Sequence, residues 1–346
     1  MTVDNSFFAA KLLGWFRENG RELPWRGTKD PYAIWLSEII LQQTQVRQGW
    51  DYWLRFMRRW PTVEALAAAT EDEVLRMWQG LGYYSRARNL HFAARQIVEM
   101  GGFPTTYEEI KKLKGVGDYT AAAIGSIAFG LPVAVVDGNV YRLLSRHFGI
   151  ATPINTTQGK REFTALAQAL LPGSEASAYN QALMDFGATV CTPQSPRCPE
   201  CPLQASCVAF AEGRVGQLPV KERKLQVKER RMAYVYIRYE GQTALRRRGA
   251  GDIWQGLWEP FLLIDNGQLT IDNDANYQLS IINCQLLKQH VRHVLTHRVI
   301  LCDFYLWEPR ERPHLPDAYV WVDETDVDQY ALPRLVELLL EALPQR

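Results

Sequence analysis

No run of about 18 or more apolar residues occurs in the 346-residue chain, so a membrane-spanning helix is not expected. The opening stretch, MTVDNSFFAAKLLGWF, lacks a charged start followed by a continuous apolar segment. It reads as an amphipathic helix rather than a signal peptide, and an intracellular location is the expectation. Internal repeats and low-complexity tracts are missing, which excludes solenoids and extended linker proteins. Cysteine is scarce, six in all, and a disulfide framework is not expected in a large intracellular chain. Net charge is also small, at +1.

That small number conceals a division. Residues 1–231 hold 28 Lys and Arg against 22 Asp and Glu, whereas residues 232–346 hold 11 against 16. A basic first part suits a polyanionic partner, although drift of surface charge would leave the same imbalance. The length suggests two domains, and an apolar content of 47% lets each bury a core.

Up to about residue 210 the apolar residues recur at helical spacing, as in EDEVLRMWQGLG and NLHFAARQIVEM. TVEALAAAT starts at a threonine suited to an N-cap. The first part, residues 1–211, is therefore read as all-α. Residues 212–231, EGRVGQLPVKERKLQVKERR, are charged and carry no lasting apolar face, so they read as a basic linker or an extended strap. In residues 232–346, RMAYVYIRY, QTALRRR and VILCDFYLW read as strands, the first two joined at EGQ, and PRLVELLLEAL as a closing helix. This second, smaller part is α+β.

Four of the cysteines, Cys191, Cys198, Cys201 and Cys207, fall within seventeen residues as C-x6-C-x2-C-x5-C. Four thiolates so close suit one metal site, either zinc or an iron–sulfur cluster. Pro193, Pro196, Pro199 and Pro202 stiffen the loop and limit the entropy lost on ligation. Cys284 and Cys302 stand apart and read as ordinary thiols.

The stretch LKGVGDYTAAA places Gly115 and Gly117 at the entrance of a small-residue helix, after Lys111, Lys112 and Lys114. Glycines allow outward-facing amides at a helix N-terminus, which would hold an anion such as a nucleic-acid phosphate. A tight helix–helix turn would use the same glycines.

Taken with AVVDGNVYRLLSR and the cysteine cluster, this stretch resembles the helix-hairpin-helix DNA glycosylases of the endonuclease III superfamily. The resemblance implies a [4Fe–4S] cluster on the four cysteines. It also implies a strand phosphate held by Gly115, Val116, Gly117 and Thr120, and a catalytic Asp137. Members that also cut the strand carry a lysine where this chain has Tyr119, and a phenol cannot form the imine that cutting needs. Base removal without strand cleavage is expected.

RELPWRGTKDPYAIWLSEIILQQTQV, GLGYYSRARNLH and NQALMDFGATVCT look closely like the A/G-specific adenine glycosylase family, which acts on adenine opposite 8-oxoguanine. That resemblance makes Glu38 the general acid, and its apolar neighbours Ile34, Trp35, Leu36, Ile39 and Ile40 would raise its pKa. It makes Asp137 the carboxylate facing the cationic sugar, oriented by Asn139 and Tyr119. An Asp at a helix N-terminus is expected to stay ionised. Gln43 and Tyr83 would enter the duplex beside the lesion, while Arg21, Trp25, Arg26 and Gln181 would line the adenine pocket.

The last part, from GDIWQGLWEPFLL, resembles the Nudix-type C-terminal domain of the same family, yet residues 232–346 contain no Nudix box. Nucleotide hydrolysis is not expected there. His293, Leu295, Thr296 and His297 occupy the family's H-x-F-S-H pattern, with Leu for Phe and Thr for Ser. Thr296 keeps the hydroxyl that would tell 8-oxoguanine from guanine. The implied partner is duplex DNA with adenine opposite 8-oxoguanine or guanine, bound by a monomer.

Overall fold

The computed structural model describes residues 5–222, 227–270 and 283–344. The chain forms two compact units. One comprises Met1–Ala68 and Asn89–Arg223, the other Ala69–Arg88 and Lys224–Arg346. The second unit thus takes a segment from inside the stretch read as one helical domain. The expected linker also divides. Val220 and Glu222 bond back to Ile154 and Asn155 of the first unit, while Lys228 already opens a strand of the second.

In chain order the helical segments are α1 (Asn5–Asn19), α2 (Pro31–Leu41), α3 (Val46–Arg59), α4 (Val63–Ala68), α5 (Glu71–Trp78) and α6 (Ser85–Glu99). They continue as α7 (Tyr107–Lys112), α8 (Asp118–Phe129), α9 (Gly138–Phe148), α10 (Thr157–Leu170), α11 (Ala176–Thr189) and the short α12 (Val208–Ala211). Asp30 caps α2, accepting from the Tyr32 amide at 3.0 Å, and Pro31 supplies the preset φ of a first helical residue. Every side chain of α2 from Tyr32 to Ile40 is buried, so the helix has no solvent face, and it carries Glu38 into the interior. Beneath α1, α9, α10 and α11 lies a core that includes Leu12, Leu143, Phe163, Leu183 and Phe186. Each such side chain contributes about 1.5–3 kcal/mol by burial.

Residues 107–129 form the expected helical hairpin. Thr106 caps α7, and the Val116 amide closes a turn on the Leu113 carbonyl at 3.1 Å. Gly115 is required twice over. Its φ is +79°, and a Cβ there would lie 2.8 Å from the Cβ of Asn89.

The second unit contains two sheets. β1 (Lys228–Ile237), β4 (Phe261–Asp265), β5 (Gln268–Leu269), β6 (Gln285–Val294) and β7 (Arg298–Trp307) form one, in the order β5-β4-β1-β7-β6, with β1 parallel to β7. β2 (Gln242–Arg247), β3 (Trp258–Glu259) and β8 (Tyr319–Asp323) form the other, and α13 (Arg334–Leu340) follows. The Glu240-Gly241 turn, with φ of 45° and 80°, joins β1 to β2 as expected. It passes the chain from one sheet to the other, and among the described residues the Tyr239–Gln242 bridge pairs across it. Val235, Ile237, Phe261, Leu263 and Trp307 form the core of this unit. No helix among the described residues is long and apolar enough to cross a membrane.

Candidate active site

A cleft of about 790 Å3 opens in the helical unit. Of the residues singled out from sequence, it brings together Arg21, Trp25, Arg26, Glu38, Tyr119, Asp137, Asn139 and Gln181. Glu38 projects from α2 and is 8% exposed. The Tyr119 hydroxyl, at the entrance of α8, donates to its Oε2 at 2.8 Å. Burial pushes the Glu38 pKa up to about 7, against the pull of the Tyr119 hydrogen bond; the Asp137 carboxyl adds to the rise and Arg26 opposes it. A carboxylic acid still protonated near neutrality is able to donate a proton to a leaving group.

Asp137 caps α9, accepting from the amides of Asn139 at 2.9 Å and Val140 at 2.8 Å, and from the Asn139 side-chain amide at 2.7 Å. The cap does not by itself hold the group at an ordinary carboxylate pKa. Burial outweighs the bonds from Val140 and Asn139 and raises it. Both carboxyl groups of the cleft thus have raised proton affinity, chiefly through burial.

Asp137 is tied to the cysteine loop by a chain of hydrogen bonds. Arg142 donates to Asn139 Oδ1 at 2.8 Å, to the Gly187 carbonyl at 2.6 Å and to the Cys191 carbonyl at 2.6 Å. Arg146 reaches the same loop, donating to the Thr192 carbonyl at 2.7 Å and to Cys191 Sγ at 3.5 Å. The four cysteines line one cavity, with Arg146 and Leu203 beside them. Burial, and then the neighbouring thiols, push Cys201 up to about 11 and raise Cys207; Cys198 is raised as well. Such a set is held as thiolates by a soft metal centre, so the donor chemistry fits zinc or an iron–sulfur cluster. Among the described residues no three His, Cys, Asp or Glu side chains converge to hold a single ion.

The residue that sequence reasoning missed is Asp185, from α11, fully buried. It accepts from Arg21 through the backbone amide at 2.9 Å and Nε at 2.8 Å, and from Arg26 at 2.6 and 2.7 Å. The two arginines are therefore held by a carboxylate as they line the cleft. Only their separation of 159–164 residues from Asp185 hid the triad in the sequence. Trp25, 7% exposed, packs edge-on to Trp50 and Trp53, so it is both core and wall. Gln181 donates back to Ser177 of its own helix.

Two details of the hairpin bear on its anion site. Thr120 is 2% exposed and its hydroxyl accepts from Gln42 at 3.3 Å, so its side chain is buried and already engaged. Lys111 pairs with Asp118 at 2.5 Å, and both side chains remain exposed. Gly115 and Gly117 remain at the helix entrance as backbone donors, whereas the Val116 amide is taken up by the Leu113 carbonyl. Gln43, exposed after α2, has a φ of 58°.

In the second unit Tyr83 also has a left-handed backbone, with φ of 48°, and it is 49% exposed. Its hydroxyl hydrogen-bonds the Thr296 hydroxyl. Thr296 and His297 form the two-residue turn between β6 and β7, closed by the Leu295 amide on the Arg298 carbonyl at 2.8 Å. His293 lies half-buried in edge strand β6 against Trp254, at 6.0 Å between ring centroids. Burial, with Arg334 next in effect, lowers its pKa. Trp254 in turn lies under the Arg248 guanidinium, which is clamped by Asp252 at 2.8 and 2.6 Å.

Comparison with known proteins accords with this geometry. The family of HhH-GPD superfamily base excision DNA repair proteins matches residues 36–169, and the NUDIX domain matches residues 233–342. The chain is 31% identical to the adenine DNA glycosylase of Buchnera aphidicola subsp. Schizaphis graminum, over 96% of its own length and 98% of that protein. It is 44% identical to the adenine DNA glycosylase of Mus musculus over 62% of its length, but spans only 44% of that longer protein. A solved thermostable thymine-DNA glycosylase, 31% identical, aligns with a TM-score of 0.56 over 60% of this chain and 97% of that one. A trapped endonuclease III–DNA covalent intermediate, 24% identical, shares the fold, with a TM-score of 0.53 over 60% and 96% of the two chains. Matched along nearly its whole length, the chain belongs to the adenine DNA glycosylase family.

Proposed function

We propose that the protein removes adenine paired with 8-oxoguanine, or with guanine, and leaves the DNA strand uncut. The coarser part follows from the family: a DNA glycosylase of base excision repair acting on adenine. The finer reading rests above all on one observation, that Glu38 is an acid with a pKa near 7 in the same cleft as Asp137.

The glycosidic bond is buried in the duplex stack, so the adenine nucleotide must first be flipped out, at a cost of a few kcal/mol. Glu38 then donates its proton to adenine N7. As the C1′–N9 bond breaks, its electron pair leaves with the base and positive charge develops on the sugar. Asp137, oriented by Asn139, faces that charge, and a cation there lowers its pKa as the reaction proceeds. Water adds to C1′ and its proton passes to the Glu38 carboxylate, which restores the starting state. Arg21, Trp25, Arg26 and Gln181 shape the adenine pocket, and the Asp185 carboxylate fixes the two arginines. Gln43 and Tyr83 enter the duplex, and Thr296 reads the oxidised base with His293, Leu295 and His297 around it. Gly115 and Gly117, on either side of Val116, hold a strand phosphate through their amides. Cys191, Cys198, Cys201 and Cys207 would hold a [4Fe–4S] cluster, which when bound supplies a structural tie for the loop that Arg142 joins to Asp137.

A single-turnover assay on a duplex with one adenine opposite 8-oxoguanine tests this, with each time point split between alkali and no treatment. Breaks after alkali alone are expected. Breaks in both halves would show that another nucleophile opens the sugar, against the role given to Tyr119. No breaks in either, with binding intact, would overturn the enzymatic reading.

A further inference from the structure

A second cavity, of about 410 Å3, lies in the sheet unit, lined by Lys228, Glu229, Arg230, Asp252, Asp265 and Arg298 among others. Its lining acids and bases are equal in number, but their partners are not. Arg230 clamps Asp265 through two bonds of 2.7 Å. Arg248 clamps Asp252, and Arg231 pairs with Glu229 at 3.0 Å. Every acid of the cavity thus has an arginine, and two of those arginines stand outside its lining. Lys228 and Arg298 have no carboxylate partner among the described residues, although they line the same space. They face each other across the parallel β1–β7 pair. Arg298 directly follows the Thr296–His297 turn, and the Lys228 amide bonds the His297 carbonyl at 3.1 Å. Arg298 belongs to residues 232–346, which are otherwise acidic, with 11 basic residues against 16 acidic, and Lys228 stands just before them.

We propose that Lys228 and Arg298 bind backbone phosphate of the DNA strand whose base meets the Thr296–His297 turn. The inference rests on the DNA-repair reading above. A phosphodiester supplies the diffuse negative charge that two unpaired cations require, and such contacts fix register without reading sequence. Neutralising phosphates releases condensed counterions, so each contact adds about 0.9 to the slope of log affinity against log salt.

The full-length protein and its Lys228→Ala/Arg298→Ala variant are titrated with two short duplexes between about 50 and 200 mM salt. One duplex carries a stable abasic analogue opposite 8-oxoguanine, and the other is undamaged. The variant should bind both more weakly by the same factor, with a slope shallower by about 1–2. Its single-turnover rate at saturating protein should be unchanged, and Lys228→Arg should keep the parent slope. A variant slope equal to a steep parent slope overturns the site while leaving the repair reading intact. Weakening confined to the damaged duplex overturns it too, since that would be base recognition. A parent that shows no salt-dependent duplex binding overturns both the site and the repair reading.

Discussion

Both units bury a carboxylate gripped by two arginines, and the helical unit buries a second carboxyl, Glu38, that is treated in the opposite way. In the sheet unit Glu259 is fully buried and accepts from the Tyr234 hydroxyl at 2.7 Å and Arg246 at 2.9 Å, with Arg248 bonded to its other side. In the helical unit Asp185 is equally buried and is gripped by Arg21 and Arg26. Glu38 shares a cleft with those same arginines, but its hydrogen-bond donor is a phenol and its carboxyl neighbour is Asp137. Burial raises the Glu38 pKa, and the rise stands because the nearby arginines spend their hydrogen bonds on Asp185. Arg26 still lowers the Glu38 pKa, yet its hydrogen bonds go to Asp185.

The sharpest way to break this comparison is Glu38→Gln. The side chain keeps its shape and loses its proton, so base release should fall by about a hundred- to ten-thousand-fold while lesion binding persists. Efficient release by that variant would remove Glu38 from the role of acid. Glu259→Gln should do the reverse. It takes the carboxylate from half-buried Arg246 and one of two from buried Arg248, which keeps Asp252, so it costs about 1–3 kcal/mol and is read as an earlier unfolding transition in urea. Its base-release rate below that transition should match the parent.

A smaller effect is expected from pH. Glu38 must be protonated to act, so the single-turnover rate should decline as pH rises through about 7. Its raised pKa also stabilises the fold below the ordinary carboxyl range, and that stability is lost as pH climbs through about 7. The shift from 4.5 is worth up to about 3 kcal/mol, and Glu38→Gln should flatten the slope. Tyr119→Phe should give the smallest change. It removes a hydrogen bond that lowers the Glu38 pKa, so the falling limb should move to higher pH. A limb that moves down would mean the tyrosine acts chiefly through something other than that bond.

Local signals were legible in the sequence because they are repeated or chemically unusual. The helical periodicity of 71–82 and 89–100, the glycines of the hairpin and the cysteine spacing all belong to this kind. Glu38 and Asp137 stood out in the sequence only through resemblance, since a Glu in an apolar helix and an Asp before a helix have ordinary structural uses. What was hidden depends on chain folding back over long distances. Asp185 meets Arg21 and Arg26 from the far end of the unit. Residues 69–88 read as one more stretch of a helical domain, because helical periodicity says which face of α5 is buried and not what covers it. Within the second unit, Glu71 and Asp72 pair with Arg247, and Gln79 bonds Glu337. The Glu240-Gly241 turn carried the right residues for a hairpin, but turn chemistry fixes the reversal of the chain and not the sheet it enters next.

Gln43 and Tyr83 were singled out as residues that enter DNA, and each holds a left-handed backbone without being glycine. That conformation costs a side-chain-bearing residue about 1–2 kcal/mol. The free protein therefore carries a standing tension at two surface points. Selection for thermal stability alone would drift toward glycine at both, and the drift would remove the side chains that the duplex is proposed to meet. Durability and lesion search pull on the same two residues in opposite directions.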